Sequence, residues 1–175
     1  GTCSAGTSIN YKVNGSTTQS FYVLKDNGST LTLISSGVIE RGVAWDWSVL
    51  NSNGPRTATQ KLEGATSSWT NVPANTYNES TGTATRARLI TKAEAESVGC
   101  RTSTRTCPTW LTESGYLHWT STPDSKYIES AVLIKASDSS TLTVQCLGTD
   151  KVNSTGQGSN LSAIGIRAVI TISKK

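Results

Sequence analysis

Trp45-Asp46-Trp47 is the stretch of this chain most suited to recognising a ligand. Two indoles flanking a carboxylate can stack on a sugar ring while Asp46 accepts hydrogen bonds from its hydroxyls. The simpler reading has Trp45 and Trp47 plugging the core where an irregular loop crosses it. Catalytic chemistry is less well provided for. The sole histidine, His118, stands between Leu117 and Trp119 with no carboxylate near it in sequence, and reads as a surface or half-buried residue. A nucleophile needs Ser, His and Asp brought together in space, and no Gly-x-Ser-x-Gly elbow occurs. Glu94 and Glu96, two apart on an expected helix, do not share a face. No Walker loop or dinucleotide fingerprint is present, and Gly156-Gln157-Gly158 precedes a strand rather than a helix. The chain reads as a non-enzyme without a cofactor.

Four cysteines, Cys3, Cys100, Cys107 and Cys146, allow three pairings. Cys100 with Cys107 closes a short loop and needs no tertiary arrangement. That leaves Cys3 with Cys146, which would tie the N-terminal segment to a late strand. Zinc is not expected, for there is no Cys-x-x-Cys and the one histidine is remote from two of the cysteines. Asp124, Asp138 and Asp150 are too widely spaced for a calcium loop. Calcium held by residues from separate loops is the one ion left open. Arg167 lies in a nearly apolar strand, so it must reach solvent or a carboxylate, and Glu94 is its candidate partner.

These residues are positioned by strands at both ends of the chain and helices between. Ser20–Lys25 and Thr30–Ser35 flank Asp26-Asn27-Gly28-Ser29 and predict a hairpin, with a short strand at Tyr11–Val13 before it. Residues 36–54 read as irregular. After Pro55, Ala58, Leu62, Ala65 and Trp69 recur at helical spacing. Val72–Thr85 reads as a polar loop. Thr91 and Glu94 form a capping box for a short helix that Gly99 ends. Strands follow at Gly115–Ser121, Ser130–Ala136 and Thr141–Leu147. After a polar loop at Gly148–Ser162, a last strand, Ala163–Ile172, is expected, suited to the centre of a sheet. The expectation is one α+β domain over 1–175, with antiparallel sheets from the N- and C-terminal strands and two short helices between.

Composition bears on where such a domain lives. Of 175 residues, 52 are Ser or Thr, and only 16% are charged, against about 25% in an average domain. The net charge of +4 is scattered, with Arg86, Arg88, Lys92, Arg101 and Arg105 as its densest stretch. That suits a solvated face rather than a nucleic-acid groove. Five Asn-x-Ser/Thr sequons, at Asn14, Asn27, Asn78, Asn153 and Asn160, reflect the Ser/Thr content. The absence of Met, the paired cysteines and the Gly1-Thr2-Cys3 start point to a processed extracellular domain.

Three segments carry a family resemblance. Ala87-Arg88-Leu89-Ile90-Thr91-Lys92-Ala93-Glu94 resembles the Arg-Leu-x-Thr-x-x-Glu segment that opens a helix in bacterial domains of C-type-lectin-like fold. Gly115-Tyr116-Leu117-His118-Trp119-Thr120-Ser121-Thr122 resembles their Trp-Thr/Ser-Ser strand, and Gly165-Ile166-Arg167-Ala168-Val169-Ile170 their closing Gly-Phe/Val-Arg-Pro-Val strand, with Ala168 in place of Pro. The segments occur in the family's order over about residues 86 to 172. The Phe21-Tyr22-Val23-Leu24 hairpin is similar to one in globular heads of Gram-positive type IV pilin-like surface proteins. The resemblance implies an extracellular structural or adhesive filament subunit on the cell surface. Its partners would be other pilin subunits, reached through an N-terminal helix that also supplies the only membrane contact. Host or surface glycans or proteins are further expected partners. A free-standing glycan- or protein-binding module of the same fold is the alternative. The Glu-Pro-Asn, Gln-Pro-Asp and Trp-Asn-Asp signatures of calcium-dependent lectins do not occur.

Overall fold

The computed structural model describes residues 1–46, 50–74, 76–78, 83–101, 106–112, 117–126, 128, 130–136, 142–146 and 164–175. In chain order the elements begin with β1 (Ser8–Lys12), β2 (Thr18–Asp26), β3 (Thr30–Ser35), β4 (Glu40–Arg41) and α1 (Arg56–Thr66). A small hairpin, β5 (Thr76–Asn78) and β6 (Thr83–Thr85), precedes α2 (Lys92–Ser97). The C-terminal part holds β7 (Leu117–Pro123), β8 (Ala131–Ala136), β9 (Leu142–Cys146), β10 (Ile164–Ile166) and β11 (Val169–Ser173). Single 3₁₀ turns lie at Asn51–Asn53 and Thr109–Leu111. The arrangement is α+β, with a four-stranded sheet β1-β2-β3-β11 and a five-stranded sheet β4-β10-β7-β8-β9.

The N-terminal hairpin forms where the turn residues demand it. Gly28 adopts φ +88°, and its amide donates to Asp26 Oδ1 at 2.9 Å. Pairing then runs Asp26↔Leu31 to Phe21↔Ser35, with an irregularity between Val23 and Lys25. Helix α1 begins directly after Pro55 and buries Ala58 and Leu62, as their spacing requires; Trp69 is buried just beyond its end. Helix α2 carries the full capping box. Thr91 Oγ1 accepts the Glu94 amide at 3.0 Å, and Glu94 Oε1 accepts the Thr91 amide at 3.0 Å. Gly99, at φ +117°, ends it.

The structure departs from the sequence reading at the C-terminus. The strand expected over Ala163–Ile172 is two strands in two different sheets. Residues Ile164–Ile166 pair with β7 and β4, and Val169–Ser173 with β3. Ser35, the last residue of β3, passes the chain across. Its amide donates to Ala168 O at 2.8 Å, its Oγ accepts the Ala168 amide at 3.0 Å, and its carbonyl accepts Arg167 Nε at 2.7 Å. β11 therefore lies at an edge of its sheet rather than the centre, bridged on its outer side by Arg88 at Val169. The β10–β7 pair is parallel; every other strand pair of the described residues is antiparallel. β4 falls within the stretch expected to be irregular, and β5–β6 within the expected polar loop. The turn read at Ser137–Ser140 and the loop at Gly148–Ser162 lie outside the described residues.

The apolar runs of the inner strands are explained by two cores. Along β3, Leu31 and Leu33 point into a cluster with Trp45, Leu62, Trp119 and Leu133, while Ile34 points into another with Leu24, Leu111, Ile134 and Val169. Along β8, Leu133 and Ile134 divide in the same way. Side chains alternate across a strand, so a strand with a core on each side buries both of its faces. Gly165 marks a close approach between strands, where a Cβ would stand 2.7 Å from Val38 Cγ1 and 2.9 Å from Glu40 O.

Candidate functional site

The two buried tryptophans of the centre hold each other's chain segments. Trp45 Nε1 donates to Thr120 O at 2.8 Å, and Trp119 Nε1 donates to Val43 O at 2.7 Å. Both indoles are fully buried. The exchange stitches residues 43–45 onto β7 and satisfies two N–H groups that burial would otherwise leave costly. Trp45 O also accepts the Ala58 amide at 3.2 Å, anchoring the first turn of α1. Asp46 is buried beside them, with Arg56 Nε at 3.7 Å. The ligand surface expected at Trp45-Asp46-Trp47 is therefore not built by Trp45 or Asp46. Trp45 has no ring face open for stacking, and the Asp46 carboxylate is 3% exposed. The core plug, the simpler reading, describes Trp45. Trp47 lies outside the described residues.

The three segments singled out by sequence meet at one junction. Arg88 and Val169 exchange both backbone hydrogen bonds, at 3.0 and 2.8 Å. The Ser121 amide donates to Ile90 O at 2.8 Å, and the Lys92 amide to Thr122 Oγ1 at 3.0 Å. The segment at 88–92 thus bridges β11 on one side and β7 on the other. Glu94 receives Arg88 Nη1 and Nη2 at 2.6 and 2.8 Å. Partial burial pushes its carboxyl up, but the Arg88 guanidinium and the Thr91 amide outweigh that and hold it below the ordinary value.

Arg167 is not the partner of Glu94, as the sequence suggested. It is buried and donates to Ser35 O and Leu111 O, with Nη1 at 3.4 Å from His118 Nε2. His118 is buried as well, not at the surface, because β7 is sandwiched between β8 and β10 and turns it inward. Desolvation first, and the neighbouring Arg167 charge second, push its pKa well below the ordinary value.

Cys100 and Cys107 form a disulfide, as the short loop between them suggested. Cys3 is a free thiol, so the expected Cys3–Cys146 bridge is not made. Cys3 lies ahead of β1, and Cys146 ends β9 in the five-stranded sheet. The Cys3 amide donates to Asp26 Oδ2 at the end of β2, whereas Cys146, on the edge strand β9, pairs with Val132 of β8. Among the described residues no three His, Cys, Asp or Glu side chains converge as a metal site would require; Asp138 and Asp150 lie outside them.

Two features had no signal in the sequence. Asn51 is buried and donates through Nδ2 to Asp124 O at 3.0 Å and Ser130 O at 2.7 Å, while its amide donates to Ile128 O at 2.7 Å. This fixes a loop that leaves Ile128 62% exposed beside Leu50 at 41%. Asp26, read only as a turn residue, also receives Lys174 Nζ at 2.6 Å. A single-sequence reading registers turns and periodicity, and neither contact follows from them. Comparison with protein-family models, curated proteins and solved structures finds no match to this chain.

Proposed function

We propose that this domain is the extracellular head of a bacterial surface-filament subunit, pilin or pilin-like, with a C-type-lectin-like fold and a structural or adhesive role rather than an enzymatic one. The observation that carries this reading is the junction of the three resembling segments. The helix opening at Arg88–Glu94, strand β7 and the Gly165–Ile170 run are separated in sequence yet bond directly to one another. The Cys100–Cys107 disulfide suits an oxidising exterior. Neighbouring subunits, engaged through a helix upstream of Gly1, and surface glycans or proteins are the partners this role requires.

The test is immunogold electron microscopy on intact producing cells, with antibodies raised against this domain. Gold along surface filaments is the expected result; gold confined to the cell interior overturns the proposal. Leu50 and Ile128, exposed side by side on a braced loop, favour a free-standing protein-binding module as the second reading. That module gives secreted antigen with no filament labelling.

A further inference from the structure

Strand β1 is one edge of the four-stranded sheet, and β11 is the other. The β11 edge is bridged by Arg88 at Val169. The β1 edge is closed only at its two ends. Beyond Asn10, the Asn71 amide donates to Val13 O at 2.9 Å and Asn71 Nδ2 donates to Lys12 O at 2.9 Å. Before Ser8, Gly6 adopts φ +86° and turns the chain onto β2, where its amide donates to Val23 O at 2.8 Å. Ser8, Ile9 and Asn10 lie between these closures. Thr7 O accepts the Val23 amide and the Val13 amide donates to Thr17 O, so the odd-numbered residues of β1 bond to β2. Successive residues of an antiparallel strand turn their backbone groups to opposite sides. The amides and carbonyls of Ser8 and Asn10 therefore face outward, and among the described residues nothing bonds to them. Both residues are exposed.

We propose that this window is a contact between two copies of the chain, paired antiparallel through β1 about a two-fold axis at Ile9. The register sets Ser8 of one copy opposite Asn10 of the other. Each Ser8 amide then donates to an Asn10 carbonyl and each Asn10 amide to a Ser8 carbonyl, which satisfies all the outward groups of the window. Ile9, half-buried against the core, meets its own counterpart on the axis. A register centred on Asn10 is worse, because it sets Ser8 against Lys12, whose carbonyl Asn71 already holds. Lys12 is the only charge on β1 and falls outside the paired residues, so no like charges are opposed. The window itself carries neither proline nor a charged side chain, the usual guards of a strand edge. The occupant is a second copy because the window is self-complementary, with donors and acceptors that match under the two-fold, an apolar residue on the axis and Lys12 kept away from its like. So short a contact is weak, with a dissociation constant on the order of 1 mM. It closes on itself and builds pairs rather than chains. The pairing stands independently of the filament reading; along a filament it joins subunits side to side.

The experiment is sedimentation equilibrium of the intact protein at concentrations rising to about 1 mM, with free thiols blocked by iodoacetamide so that no interchain disulfide mimics the pair. Amide hydrogen exchange is followed at the lowest and highest concentrations. The expected result is a monomer that becomes partly dimeric, with the Ser8 and Asn10 amides protected only at high concentration and the Ile9 and Tyr11 amides protected throughout. Asn10→Pro removes one outward donor and leaves the bonds between β1 and β2 in place, as proline at an edge position does. It is expected to remain monomeric at every concentration. A wild-type protein that stays monomeric overturns the proposal, and so does a dimer that survives Asn10→Pro. If Asn10→Pro does not fold, exchange in the wild type decides, since a dimer whose Ser8 and Asn10 amides gain no protection is built elsewhere.

Discussion

Asp26 and Lys174, 148 residues apart, form an ion pair at 2.6 Å on the same carboxylate oxygen that accepts the Cys3 amide at 2.6 Å. The other oxygen accepts the Gly28 amide. One carboxylate therefore gathers the first residues of the chain, the first hairpin turn and the C-terminus, and the Lys174 amide adds a bond to Ser29 O at 2.8 Å. The Lys174 hydrogen bond first, then the Cys3 and Gly28 amides, hold the Asp26 carboxyl well below the usual carboxylate range. Its pKa is thus lower in the folded than in the unfolded chain. As pH falls the unfolded chain takes up the proton first, and the stabilisation, complete above the ordinary value of about 4, is lost toward the lower folded value. Asp26→Asn is expected to lower the denaturation midpoint at neutral pH more than Lys174→Ala does, since it weakens three contacts rather than one. The gap between wild type and Asp26→Asn should narrow as pH falls from about 5 to about 2. Urea denaturation across that range checks both; a gap that widens at low pH refutes the assignment.

Helix α2 has only six residues and owes its start to Thr91 and Glu94. Thr91→Ala should cost about 1 kcal/mol. Glu94→Gln should cost at least as much, since it also leaves the partly buried Arg88 guanidinium facing a neutral amide. Equilibrium denaturation of the two variants measures the difference. A Glu94→Gln protein as stable as wild type would show that the Arg88 pair contributes nothing.

The capping box was legible because its donors and acceptors are fixed within four residues. The first hairpin was legible for the same reason, and so was the disulfide across the short 100–107 loop. What escaped depended on partners distant in sequence. Ile164 to Ile172 reads as one apolar run, and nothing local reports that Ser35, more than a hundred residues earlier, divides it between two sheets. Trp45 and Asp46 offered two readings that only burial could separate. Arg167 was rightly seen as needing a partner, but Glu94 was already taken by Arg88, six residues before it. The carbonyls and imidazole that Arg167 uses carry no mark in the sequence.

Gly165 and Gly15 should respond oppositely to alanine. At Gly165 a Cβ meets Val38 and the Glu40 carbonyl at under 3.0 Å, whereas at Gly15 it meets nothing within 4 Å. Gly165→Ala is expected to cost roughly 1–3 kcal/mol, as overpacking does. Gly15→Ala should be neutral or stabilise by up to about 1 kcal/mol by stiffening the unfolded chain. Thermal midpoints of the two variants test the contrast, and equal midpoints would remove the close approach of β10 to residues 38–40.

Non-reducing peptide mapping after alkylation of the unfolded protein should recover Cys100 linked to Cys107, with Cys3 alkylated. Recovery of Cys3 joined to another cysteine would overturn the free thiol. Replacing Cys100 and Cys107 together by Ser should cost about 2–3 kcal/mol, the loop-closure entropy of so short a span.

The pairing of β3 with β11 carries a consequence for how the protein is made. During synthesis β1, β2 and β3 emerge early, and their hairpins can close at once. The free edge of β3, with Leu31 and Leu33 beside it, has to wait for Val169–Ser173 at the far end of the chain. Until then the nascent molecule exposes an apolar strand edge, the kind that recruits other chains. Assembly of this sheet is therefore governed by β11, the last of its four strands in chain order. Such long-range closure is slow by its topology, and loss of the final few residues should leave a product that aggregates rather than one slightly less stable.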